Sequence, residues 1–193
     1  LGLRLLGPPA PQLRLGLGRL VRPLVQAPLQ LPEQHPDAVV AGPVTYMGEG
    51  EVRVTRPSPH PARPNPADGE LVDADNYNLF WSLSFALSVS DFWATGGFCT
   101  DYVGYGGEDT DFAQRLGAAG GSMAWLGGAT AHHQWHTTHS PPWDHVEDVV
   151  RNAGVFAERW GWWPMEGWLA QFAEAGLVRR DADTGAWELV ARP

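Results

Sequence analysis

Apolar and polar positions follow two regimes along this chain. Up to about residue 35 the sequence is built almost wholly from Leu, Arg, Gly, Pro and Gln, and prolines break any sustained period. Leu13, Leu17, Leu20, Val21 and Leu24 can share one helical face, which leaves an amphipathic membrane-surface helix open for this leader. The other reading is an atypical, disordered leader over residues 1–35. From residue 36 onward the pattern is locally coherent. "DAVVAGPVTYM" predicts a buried strand, and "RPSPHPARPNPADGE", with five prolines, predicts a surface loop. "NLFWSLSFALSVSDFWATGGF" mixes strand and helix signals, with Ser90-Asp91 as a cap for a short helix ending at Gly96-Gly97. "DTDFAQRLGAAGG" predicts a helix stopped by Gly120, and "SMAWLGGATAHH" a strand or hairpin ending in two histidines. "DHVEDVVRNAGVFAERWG" places Val146, Val149, Val150 and Phe156 on or near one helical face. "PMEGWLAQFAEAG" predicts another helix, opened by Pro164 and closed by Gly176. "LVRRDADTGAWELV" predicts two short strands around a Thr-Gly turn. Strands alternating with helices give an α/β class.

Composition changes the picture in three places. The 193 residues suffice for one domain with a core, and 44% hydrophobic content fits a globular chain. The net charge of −9 argues against a nucleic-acid partner, whose phosphates need a basic surface. That charge is uneven: the leader carries four arginines and one acid, the remainder nine arginines and 21 acids. The single cysteine, Cys99, cannot form a disulfide framework, which points to a reducing, cytoplasmic compartment. All thirteen basic residues are arginine, a mark of a GC-rich coding sequence.

The densest candidate chemistry is "GYGGEDTDFAQRL", residues 104–116. Three carboxylates, Glu108, Asp109 and Asp111, crowd the start of the predicted helix behind Gly106 and Gly107. Acids in a first helical turn are ordinary partners of the helix dipole. Two preceding glycines add something else, a backbone that can approach a ligand closely. The helix terminus favours ionised carboxylates while mutual repulsion holds one pKa up, a combination that can poise a general base. Downstream, His132, His133, His136 and His139 fall within eight residues. A surface cluster, a zinc site and a single metal ligand all stay open for them on spacing alone.

"ATGGFCTDYVGYGGEDTDFAQRLGAAGG", followed by "ATAHHQWH", resembles the C-terminal half of family 2-type glycosyltransferases, and more narrowly their galactosyltransferase-like segment, whose hallmark is a G-x-G-G-E-D-x-D turn with a later histidine. The resemblance extends over roughly residues 35 to 178. It implies the acceptor-side half of a GT-A domain, the Rossmann-like fold of nucleotide-diphospho-sugar transferases, within residues 36–193. It further implies a nucleotide-sugar donor, most simply a UDP-sugar, a sugar or lipid-linked acceptor, and inversion at the anomeric carbon. Asp109 matches the family's base. Glu108 and Asp111 match positions that bind the acceptor sugar or fix the turn. Gly106 and Gly107 shape the substrate-binding bend, and Tyr105 stacks on a sugar face or packs internally. His133 matches the ligand of a divalent metal, Mn2+ or Mg2+, while His132 points the other way by strand alternation. Trp135, beside the histidines, is a candidate for substrate stacking.

The sequence departs from that family upstream. The D-x-D metal motif is expected before "HPDAVVAGPV", and the leader contains no aspartate. The literal Asp73-Ala74-Asp75 stands after the strand and reads as a polar turn or a displaced metal site. The expectation is therefore an incomplete GT-A domain with a missing start. Two further classes compete with a transferase: a non-catalytic carbohydrate-binding remnant and a histidine-based metallohydrolase.

Overall fold

In the computed structural model, residues 38–52, 59–128 and 130–191 are described. The leader, with its alternative readings, lies outside them. The apolar run predicted as one strand makes two: β1 (Ala38–Ala41) and β2 (Val44–Tyr46). Gly42-Pro43 separates them, and proline has no N–H to continue a ladder. The break sends β1 and β2 into different sheets. β1 joins β3 (Leu71–Asp73), β4 (Phe85–Ala86) and β5 (Ser122–Leu126) in a four-stranded sheet of order β3-β5-β1-β4. β1 runs parallel to β5, whereas β3 and β4 are antiparallel edges. β2 pairs in parallel with β6 (Ala131–His133). The "SMAWLGGATAHH" stretch is thus two strands serving two sheets, not a hairpin.

Among the described residues, four α-helices complete the α/β architecture: α1 (Val89–Ala94), α2 (Glu108–Ala118), α3 (Val146–Trp160) and α4 (Glu166–Glu174). The cap of α1 is Ser88 rather than Ser90; the Ser88 hydroxyl accepts from the Asp91 N–H at 3.1 Å. Along β1 and β5, alternate residues face opposite sides. Val39, Ala41, Met123 and Trp125 pack against Phe112, Ala113 and Leu116 of α2, with Phe80 filling the gap. Ala38, Val40 and Leu126 form the other face with Leu71. Burial on both faces explains the near-continuous apolar run of β1. A second core joins Val149, Val150 and Ala153 of α3 to Leu169 and Phe172 of α4 and Val178 of β7 (Val178–Arg180). β7 and β8 (Trp187–Leu189) form the expected terminal antiparallel pair. No helix among the described residues is long and apolar enough to cross a membrane.

Candidate functional site

The site grows from the glycine bend that leads into α2. Gly104, Gly106 and Gly107 all adopt positive φ, 78°, 94° and 95°, and Gly107 is the residue capping the helix. The space is as restrictive as the dihedrals. A Cβ on Gly106 would meet the Met165 sulfur at 2.9 Å, and one on Gly107 would meet the Tyr102 ring at 3.0 Å. Glycine is needed here on both counts.

The three acids of the first turn have separate surroundings. Asp111 is fully buried; its Oδ1 accepts from Arg159 Nε and Trp160 Nε1, both at 2.9 Å, and its Oδ2 from Arg115 Nε at 3.0 Å. Arg159 and Trp160 sit on the last turn of α3, so Asp111 ties the bend to that helix. Arg115 also donates to the carbonyls of Thr95, at 3.1 Å, and Gly97. The Asp111 carboxylate therefore faces protein donors on both oxygens. Asp109 is half-buried. Its Oδ2 accepts from the Ser82 N–H at 3.0 Å, while Oδ1 is shielded and has no hydrogen-bond partner. Burial raises its pKa above the ordinary carboxylate value, opposed by hydrogen bonding from Ser82 and by the charge of Arg63. Glu108 is raised as well, chiefly by burial and to a smaller degree by Asp109, and its Oε2 is also shielded and unpaired. Desolvation, more than mutual repulsion, lifts these two groups.

Asn152, which the helical pattern gave no reason to single out, holds the bend from α3. It is fully buried; its Nδ2 donates to the carbonyls of Val103 and Tyr105, both at 3.1 Å, and its Oδ1 accepts from the Val103 N–H at 3.3 Å. A buried amide matching three backbone groups fixes the loop's course. Tyr105 is 43% exposed, stacks on His145 with centroids 4.8 Å apart, and lies 6.0 Å from Trp168. Its ring thus combines aromatic packing with partial exposure to solvent.

The histidine side is reached through β2 and β6. Tyr46 and His133 are register partners at the carboxyl ends of these parallel strands, the usual position for ligand sites in α/β sheets. Their rings lie 5.1 Å apart, and His136 follows 5.1 Å from His133. His132 is exposed, consistent with strand alternation. His139 pairs with Asp144 at 3.2 Å. Trp135 is 47% exposed. Arg63 lies within electrostatic reach of both Asp109 and Tyr46, and Tyr46 in turn meets His133 through its ring. Among the described residues no three His, Cys, Asp or Glu side chains are grouped so as to hold a metal. Asp73 ends β3 and is exposed, as is Asp75, while Ala74 packs on the first core.

Comparison with known proteins places most of this geometry in one segment. Residues 74–140, which contain the glycine bend, all three acids and the four clustered histidines, match the family model described as the N-terminal domain of galactosyltransferase. This segment is glycosyltransferase-like. The match bears out the resemblance carried by the G-x-G-G-E-D-x-D turn, over a narrower span than the sequence pattern suggested. A 41-residue stretch is 49% identical to validoxylamine A glucosyltransferase of Streptomyces hygroscopicus subsp. jinggangensis (strain 5008), covering 21% of this chain and 10% of that protein. The same enzyme of Streptomyces hygroscopicus subsp. limoneus matches at 49% over 41 residues, 9% of its length. The matched stretch spans about a tenth of the length of these curated relatives. Arg63, Tyr46, Asn152 and Arg159 lie outside the glycosyltransferase-like segment yet complete its surroundings.

Proposed function

We propose that this chain serves an inverting sugar transfer, as the acceptor-side part of a GT-A transferase, with Asp109 as the base. The single observation that carries the reading is the Asp109 carboxylate in the first turn of α2, directly after the glycine bend. One oxygen is fixed by a backbone N–H, and the other is shielded without a protein partner. Removing a carboxylate oxygen from water raises its affinity for a proton, which suits a group that must take one. In the proposed reaction the acceptor hydroxyl gives its proton to Asp109 Oδ1 as its oxygen bonds the anomeric carbon. The bond from that carbon to the nucleoside diphosphate breaks on the opposite face, and configuration inverts. Glu108 supplies a second carboxylate to the acceptor sugar. Tyr105 offers a partly exposed ring to it, and Trp135 an exposed ring. Asp111, closed off by two arginines and a tryptophan, keeps the bend in place for Asp109.

The donor in this reading is a UDP-hexose, and the glucosyltransferase relatives support the hexose. The divalent metal, Mn2+ or Mg2+, that the resemblance implies has one ligand in His133. The described residues do not make up a metal centre by themselves. The test is a transfer assay with a panel of UDP-hexoses, manganese and sugar or lipid-linked acceptors. Formation of a glycoside of inverted configuration is expected. Sugar binding with no transfer under any donor would overturn the reading in favour of a carbohydrate-binding module.

A further inference from the structure

Arg63 stands in the proline-rich connection between β2 and β3, a stretch whose composition predicts only an exposed loop. It is nevertheless 8% exposed, and none of its three guanidinium nitrogens has a hydrogen-bond partner. Two indole rings flank it. The guanidinium carbon lies 4.7 Å from the centroid of Trp125, a buried residue of the main sheet, and 5.4 Å from that of half-buried Trp81. His60 meets the Trp81 ring edge-on at 4.7 Å. Cation–π contact satisfies the faces of the guanidinium but none of its five N–H donors. A buried cation with unmade hydrogen bonds is a destabilising arrangement unless another group completes it. The planar fork of arginine suits a bidentate oxyanion. Its neighbour Asp109 is within electrostatic reach, and no hydrogen bond joins the two. Ser82, which follows Trp81, holds the other oxygen of that same Asp109. The wall of the Arg63 site and the anchor of the proposed base are therefore consecutive residues.

We propose that Arg63 is a substrate-binding residue that receives an oxyanion, a phosphate or a carboxylate, between Trp81 and Trp125 beside Asp109. The inference deepens the sugar-transfer reading and rests on it for the identity of the substrate. A phosphate would come from the donor's diphosphate, a carboxylate from an acidic acceptor sugar. Trp125 forms the inner wall and half-buried Trp81 the outer one, so the oxyanion approaches the N–H edge of the guanidinium from the Trp81 side. Such binding also neutralises the cation that restrains Asp109, so oxyanion binding and proton uptake by Asp109 are coupled in the same direction.

The experiment titrates the wild-type chain with inorganic pyrophosphate, uridine diphosphate and glucuronate while following tryptophan fluorescence. Trp81→Phe assigns the signal. A saturable change with pyrophosphate or uridine diphosphate identifies a phosphate source, and one with glucuronate alone identifies a carboxylate. Arg63→Met is expected to weaken that binding at least tenfold while melting at or above the wild-type temperature, because it removes a buried unpaired charge. Arg63→Lys, which keeps the charge but loses the fork, is expected to bind several-fold more weakly and remain folded. No response from any of the three anions, or equal binding by Arg63→Lys or Arg63→Met, would overturn the proposal. Sugar transfer without this response refutes the Arg63 site alone, whereas the response without transfer refutes the transferase reading alone.

Discussion

Asp109 and Asp111 are two residues apart and are asked to do opposite things. Asp111 is enclosed, with an arginine on each oxygen, so its charge is internally balanced. Asp111→Asn leaves Arg115 and Arg159 facing a neutral amide. A loss of roughly 3–5 kcal/mol, the range for breaking a buried pair, is expected in denaturant unfolding. Asp109 is different, because the fold raises its pKa. A carboxyl group that binds its proton more tightly when folded lowers stability once pH rises above its unfolded pKa. That loss is relieved as pH falls through the folded pKa toward the unfolded one. Glu108 carries the same sign. Asp109→Asn should therefore melt at or above the wild-type temperature at pH 7, and the difference should shrink on acidification toward pH 4. A lower melting temperature for Asp109→Asn at pH 7 would mean that the carboxylate stabilises the fold and is not held in a poised state.

At the scale of elements, the glycine bend is held from outside by α3. Asn152 grips Val103 and Tyr105, and Arg159 and Trp160 reach Asp111. Asn152→Ala leaves three backbone groups without their partner and should cost about 1–3 kcal/mol, measured by chemical denaturation. Hydrogen exchange in that variant should quicken at residues 103–107 before it does in the sheet. Gly107→Ala combines a positive φ with a Cβ 3.0 Å from Tyr102 and should destabilise by about 1–3 kcal/mol. The α3 and α4 periodicities, the terminal strand pair and the acid-rich start of α2 were all legible in the sequence, because each is a local pattern. The partition of "DAVVAGPVTYM" between two sheets was not. Gly42-Pro43 signals a break, but which partner each half takes is decided by β5 and β6, some eighty residues on. Asn152 was hidden for a related reason: in a helix whose buried face is otherwise apolar, one amide gives no sign of the loop it holds.

At the scale of the molecule, two cores meet around one bend. The sheet core sets α2 and Trp125, and the α3–α4 core sets Asn152, Arg159 and Met165 behind the glycines. The proline-rich connection, legible only as a loop, brings Arg63 against Trp125 of the sheet core and within electrostatic reach of Tyr46 and Asp109. The motif residues could be found by pattern because they are adjacent in sequence. Their charged, polar and aromatic surroundings could not, because they come from residues 46, 63, 81 and 152. In the proposed transfer this assembly presents Asp109 to an acceptor hydroxyl. Turnover of Asp109→Asn, measured beside the wild type with donor binding followed in the same preparations, tests it most directly. Turnover lowered by about 10²–10⁴-fold, with donor binding nearly intact, is expected. Turnover within a few-fold of the wild type would contradict it.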